Sequence, residues 1–265
     1  MLKDITLGQY YPGESILHKS DPRTKIILVI AYMVVIFLVD TFTGYIISIL
    51  FTLLSAVVSD IPLKYVFKGL KPIIFIALFV MVLNILTIKG TPLLEYGIIH
   101  ISYEGVETAV KMIIRLMLLV LAASLLTLTT TPILLTDGIE KLMAPLRIIK
   151  VPVHEIAMMM TIALRFIPTL LEETEKIMKA QASRGADFDT GNLVQRAKSF
   201  VPVLIPLFLS AFRRADELAS AMESRCYRGG EGRTRMKQLK LGRYDVVISL
   251  AMVMYISIII ILEFF

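Results

Sequence analysis

Apolar positions in this chain come in long blocks. Ile26–Val39, Thr41–Ser59, Pro72–Ile88, Leu116–Thr136 and Val246–Leu262 carry no charged side chain. A helix that crosses a bilayer needs about 20 apolar residues, with a range of about 17–25. Four blocks meet that length. Ile26–Val39 falls short, and it reaches the length if Lys25 snorkels and Thr41–Thr43 join it. The pattern predicts an all-α integral membrane protein with about five transmembrane helices.

Between the fourth and fifth blocks the period changes. Asp137 is placed to cap a short helix over 138–146, with Ile139, Leu142, Met143 and Leu146 on one face. A long helix is predicted over His154–Arg184, interrupted at Pro168. Its second half puts Leu170, Leu171, Thr174, Ile177, Met178 and Gln181 near one face. A third helix is predicted over Leu193–Arg225, interrupted at Pro202 and Pro206, with a stripe of Phe208, Ala211, Phe212, Ala215, Leu218 and Met222. The two stripes are expected to meet where these helices cross.

Both long helices end alike, at Ser183-Arg184-Gly185 and Ser224-Arg225-Cys226. Aligned on the arginines, Ala180 matches Ala221 and Ile177 matches Leu218, a short internal duplication. An Arg near a helix C-terminus ordinarily stabilises the macrodipole, by roughly 0.3–1 kcal/mol. Two matched tips on matched helices point further, to two similar acidic sockets on a partner. Arg suits such a socket because its planar fork stays charged and bonds bidentately. Ser183, Gly185, Ser224 and Cys226 are small enough to let each tip enter a narrow cleft, and Cys226 reads as a small packing residue.

Composition supports the bilayer. Hydrophobic residues make up 56% of the 265 positions, above the 45–50% usual in soluble domains. Mean hydropathy is +0.75. The net charge of +6 acts first as an orientation signal. Lys64, Lys68 and Lys71, and the excess of bases over 131–243, put these stretches and residues 1–25 in the cytoplasm. Loops 40–44 and 89–107 face outside, and 89–108 reads as an external loop or short hairpin. Arg115, at the outer end of its span, is expected to snorkel. The organisation is then a cytoplasmic N-terminal segment 1–25, a four-span bundle 26–130, a cytoplasmic helical region 131–243 and a last transmembrane helix 244–265. Gly229-Gly230-Glu231-Gly232-Arg233 reads as a flexible basic linker, and Arg233, Arg235, Lys237, Lys240 and Arg243 as a collar at anionic headgroups.

Several chemistries have no sequence support. There is no GxxxxGK[ST] loop, so the chain is not expected to bind ATP that way. There is no HExxH, no GxSxG and no pair of intramembrane carboxylates. Asn84 is the strongly polar side chain in the uncharged spans, which argues against an autonomous ion-coupled pump. One cysteine excludes an internal disulfide, and His18, His100 and His154 lack metal-ligand spacing. No aromatic-studded basic run suggests nucleic acid. The expectation is no enzyme, no cofactor and no bound metal, with energy supplied by another chain.

Gly8-Gln9-Tyr10-Tyr11-Pro12-Gly13-Glu14-Ser15, then His18, then Asp21-Pro22-Arg23-Thr24-Lys25, together with the two Arg tips and Ala221–Thr234, resemble the transmembrane T component of an energy-coupling factor (ECF) transporter, the CbiQ/EcfT family. The resemblance covers nearly the whole chain. The first tip has Ser183 where Ala is common, and the second has Cys226 where Gly or Ser is common. The resemblance implies a membrane bundle with long cytoplasmic coupling helices that deliver their arginines to two ABC-type ATPase subunits. It implies a separate membrane S component that binds a vitamin or micronutrient, with ATP bound by the partner subunits. It implies a multi-pass protein of the cell membrane that couples ATP hydrolysis to uptake. A substrate-contacting permease, or a T component dedicated to cobalt or nickel, is the alternative.

Overall fold

The computed structural model describes residues 10–88, 90–96, 99–188, 192–230 and 238–264. Among the described residues the regular structure is helical apart from one two-stranded hairpin. It forms two compact units, one of residues 8–142 and 238–265, the other holding 143–237.

In the first unit α1 (Ile16–Lys19), α2 (Pro22–Leu38), α3 (Phe42–Val58), α4 (Leu63–Lys68) and α5 (Lys71–Thr87) lead to the antiparallel strands β1 (Pro92–Tyr96) and β2 (Ile99–Ser102). Then follow α6 (Tyr103–Thr129), α7 (Pro132–Leu142) and, near the C-terminus, α10 (Arg243–Phe264). The long α6 is the hub, and α2, α3, α4 and α5 all pack on it. Buried Tyr32, Ile36, Val39, Tyr45, Leu118, Ala122, Met252, Tyr255 and Ile259 form one core, and Ala56, Ile61, Val66, Leu70, Leu121, Leu125 and Leu128 a second. Several polar groups inside the first core pair locally, whereas the Tyr45 hydroxyl is buried without a hydrogen-bond partner among the described residues. Tyr32 Oη bonds Thr52 Oγ1 at 2.5 Å, and Ser48 Oγ bonds Tyr255 Oη at 2.8 Å.

The outward faces are apolar, with Leu50 67%, Phe75 78% and Leu250 69% exposed. A soluble surface does not look like this, and lipid is its natural solvent. This is a membrane protein. Among the described residues, α6, α8 (Val153–Ser183) and α10 are long and apolar enough to cross a bilayer. The 17-residue helices α2, α3 and α5 reach about 26 Å each, close to the hydrocarbon thickness of about 30 Å.

Several expectations need correction. Lys25 does not snorkel, and Thr41–Thr43 do not extend α2. Lys25 is 5% exposed and donates to the Thr129 carbonyl at 3.2 Å and to Thr130 Oγ1 at 3.0 Å, tying α2 to the end of α6. Thr41 instead caps α3, where it accepts from Gly44 N. Arg115 is held at the end of α2, where its guanidinium also pairs with Asp40 Oδ1 at 3.4 Å. It donates to the Val39 carbonyl at 2.8 Å, where α2 ends, and lies over the Phe37 and Tyr45 rings. The fourth apolar block is two helices. Helix α6 begins at Tyr103 and stops at Thr129, and Pro132 starts α7. Asp137 therefore lies inside α7 rather than capping a helix over 138–146. The stretch after Met143 winds instead as a 3₁₀ helix, Ala144–Ile149.

The rim where α2 and α10 begin is held by buried charge. Asp21 caps α2 and takes Arg23 as a fork, Nε at 3.0 Å and Nη2 at 2.7 Å. Burial pushes the Asp21 carboxyl up, but the Arg23 bonds outweigh it and hold it below its ordinary value. Asp245, 5% exposed, accepts from the Asp21 amide at 2.7 Å and the Gly242 amide at 2.6 Å. The opening segment is also fixed. His18 bonds Ser15 Oγ and the Tyr11 carbonyl, and the Tyr11 amide donates to the Leu128 carbonyl.

Candidate coupling tips

The second unit is built on α8 and α9 (Leu193–Ser224). Both run unbroken through their prolines, Pro168 in α8 and Pro202 and Pro206 in α9, against the expected interruptions. A proline removes one donor and crowds one carbonyl, and a long packed helix can absorb that as a bend.

The two helices form an antiparallel hairpin. Glu173 of α8 accepts from Ser210 Oγ at 2.5 Å and Arg214 Nη2 at 2.8 Å, while Gln181 Nε2 donates to the Pro202 carbonyl at 3.4 Å. Later positions of α8 thus meet earlier positions of α9. The Ser210 hydroxyl first, then the Arg214 guanidinium, hold the Glu173 carboxyl below its ordinary value. The turn is closed by Arg196 Nε on the Phe188 carbonyl at 3.3 Å and by the Phe188–Phe200 ring contact.

The covered face of α9 is Arg196, Ser199, Val203, Leu207, Ser210, Ala211, Arg214, Leu218 and Met222. The expected stripe therefore straddles two faces. Leu218 and Met222 lie on the covered one, whereas Phe208 and Phe212 are 65% and 56% exposed and pack edge to face on each other. With Val201, Leu204, Ile205 and Leu209 they form an uncovered apolar face; of these six, periodicity had assigned Phe208 and Phe212 to the crossing.

Both helices end in one geometry. Arg184 is the C-cap of α8, with φ −92° and ψ 7°, and Arg225 is the C-cap of α9, with φ −91° and ψ 13°. Beyond the first, the Gly185 amide donates to the Ala182 carbonyl and the Ala186 amide to the Gln181 carbonyl, both at 3.0 Å. Beyond the second, the Cys226 amide donates to the Glu223 carbonyl at 2.9 Å and the Tyr227 amide to the Met222 carbonyl at 3.0 Å. These are two Schellman caps, each with its left-handed residue just after the Arg: Gly185 at φ 89° and Cys226 at φ 57°. Ser183 Oγ and Ser224 Oγ bond back to carbonyls of their own helices. All six residues are exposed, and neither guanidinium has a side-chain partner among the described residues.

The tips are not brought together. Arg184 sits at the hairpin turn. Arg225 sits at the far end of α9, whose 32 residues rise about 48 Å. The second tip is braced by the chain that follows it. Gly230 lies so close to the His154 ring that an added Cβ would meet it at 2.5 Å. The start of the expected flexible linker is thus packed, and its residues 231–237 lie outside the described residues.

A family model described as "Cobalt transport protein" (CbiQ) matches residues 13–236. The "Energy-coupling factor transporter transmembrane protein EcfT" of Ruminiclostridium cellulolyticum is 64% identical over 264 residues, covering 100% of this chain and 99% of that protein. The EcfT proteins of Thermosediminibacter oceani and Lactococcus lactis subsp. cremoris are 56% and 45% identical, over 94% and 95% of this chain and the same shares of theirs. The chain belongs to the CbiQ/EcfT family. It is a transmembrane component of an ECF transporter, and the family's transporter role agrees with the apolar outer faces of the bundle.

For an EcfT chain the two caps differ in strain. A residue with a side chain costs roughly 1–2 kcal/mol in the left-handed region, and glycine avoids this. Gly185→Ala is expected to loosen the first tip and Cys226→Gly to tighten the second. Hydrogen exchange at the Ala186 and Tyr227 amides reads the two cap bonds directly. Faster exchange at Ala186 and slower exchange at Tyr227 is the expected pair.

Proposed function

We propose that this chain is the energy-coupling subunit of an importer. Arg184 and Arg225 each enter an acidic groove on one of two ABC-type ATPase subunits, flanked by the small residues Ser183, Gly185, Ser224 and Cys226. ATP is bound and hydrolysed by those subunits. The observation that carries this reading is the pair of matching arginine caps, neither with a side-chain partner among the described residues, at opposite ends of one hairpin. Two similar ATPases, side by side, present two similar sockets at such a separation. The braced hairpin is a lever that transmits their closing.

The uncovered apolar face of α9 holds the S component, which binds the vitamin or micronutrient. Its support is exposure: aromatic and aliphatic side chains of this size seldom stay bare outside lipid. The spans sit in the cell membrane with the N-terminus and residues 131–243 in the cytoplasm, as the basic flanks favour. The cargo is set by the S component. The family description names cobalt, whereas the names of the similar EcfT proteins specify no cargo.

Phe208→Asp with Phe212→Asp should lower S-component retention at least about tenfold, since aromatic anchors dominate such surfaces. ATPase retention should be unchanged. Co-purification of the complex from membranes checks both. Loss of the ATPases together with the S component would argue against separate surfaces.

A further inference from the structure

The 3₁₀ turn after α7 has a surface that neither the tips nor the α9 face explains. Ile148 is 86% exposed, more than any other large hydrophobic among the described residues, and its neighbour Ile149 is 68% exposed. The turn is firmly built. The Lys150 amide donates to the Arg147 carbonyl at 3.0 Å and the Val151 amide to the Leu146 carbonyl at 3.3 Å. This is the hydrogen-bond pattern of the two arginine caps, with Lys150 in the left-handed place at φ 62°. A glycine would suit that backbone better, yet the position carries a cation.

We propose that this turn is an interfacial anchor: Ile148 and Ile149 enter an anionic lipid leaflet, and Arg147 and Lys150 meet its headgroups. Three features select lipid over a protein partner. The aliphatic pair is flanked by a base on each side, the arrangement of segments that lie in a membrane surface. Residues 141–154 carry Lys141, Arg147 and Lys150 and no acidic residue, which complements anionic headgroups. The turn also starts two residues after Leu142, the last residue of α7, so little chain separates it from a membrane-bundle helix in sequence. The proposal rests on the membrane bundle and is independent of the coupling reading.

The chain contains no tryptophan, so Ile148→Trp gives a single emitter. The full-length variant is placed, without partner proteins, in phosphatidylcholine vesicles with and without phosphatidylglycerol. The expected result is emission blue of a solvated indole, quenched by lipids brominated on their acyl chains, and more strongly with phosphatidylglycerol. Arg147→Gln and Lys150→Gln should each lower the inserted-to-exposed ratio about fivefold. Ile149→Trp, also at an exposed site, reports the same from the next position. Solvated emission that ignores the brominated lipids at both positions overturns the anchor. So does burial that appears only when the ATPases or the S component are added, which would give the surface to a protein. Insertion that ignores phosphatidylglycerol overturns the anionic part.

Discussion

Reversing both arginines, Arg184→Glu with Arg225→Glu, should abolish association with the ATPase subunits and with it uptake. Losing one partner of a buried, hydrogen-bonded interfacial charge pair costs about 2–5 kcal/mol. Each single reversal should therefore weaken binding from about 30-fold to several thousandfold. Two contacts on one rigid hairpin act in concert, so a single variant keeps residual binding and the double variant does not. Neither guanidinium bonds another side chain among the described residues, so the hairpin should survive the change. Arg→Gln at both sites separates loss of charge from repulsion, and it should be milder than reversal. Co-purification with the ATPases and ATP-dependent uptake in vesicles read the outcome. Retention of both ATPases by the double reversal would remove the sockets from the account.

The second large effect lies at the buried rim. Asp245→Ala leaves the Asp21 and Gly242 amides without their acceptor and takes a counter-charge from the neighbourhood of buried Lys25. The expected loss is about 3–5 kcal/mol, seen as a lower unfolding midpoint of the purified chain. Adding Lys25→Met should return part of that loss, because an apolar chain replaces a charge that has lost its partner. A double variant as unstable as the sum of the two single changes would show that Lys25 and Asp245 act separately.

The tips were legible because their signal is local. A helix end declares itself in a few residues, and Ser-Arg-Gly and Ser-Arg-Cys differ mainly at the left-handed position, where Cys226 substitutes for glycine at the cost of some strain. The apolar blocks were legible for the same reason, since a spanning segment is written in consecutive residues. Tertiary choices were not. Lys25 and Arg115 lie where long cations ordinarily reach for headgroups, and only the ends of α6 and α2 show that helix carbonyls were waiting for them. Asp137 has the chemistry of a cap, but Pro132 starts the helix earlier.

The stripe on α9 shows the limit most clearly. Its apolar arc is wider than one neighbour can cover, so Leu207 and Phe208, one residue and about 100° apart, face different surroundings. Periodicity gives the arc and not the side that α8 takes. The pairing of Glu173 with Ser210 and Arg214 decides it, across 37 and 41 residues of sequence.

The most direct test uses the one native thiol. Cys226 is exposed and lies beside Arg225 at the second tip. Its alkylation by a maleimide is followed in membranes with and without the two ATPase subunits. A Ser183→Cys, Cys226→Ser chain reports the first tip in the same way. Bound ATPases should slow labelling at both positions. Undiminished labelling at either tip, with both ATPases bound, would contradict the paired sockets.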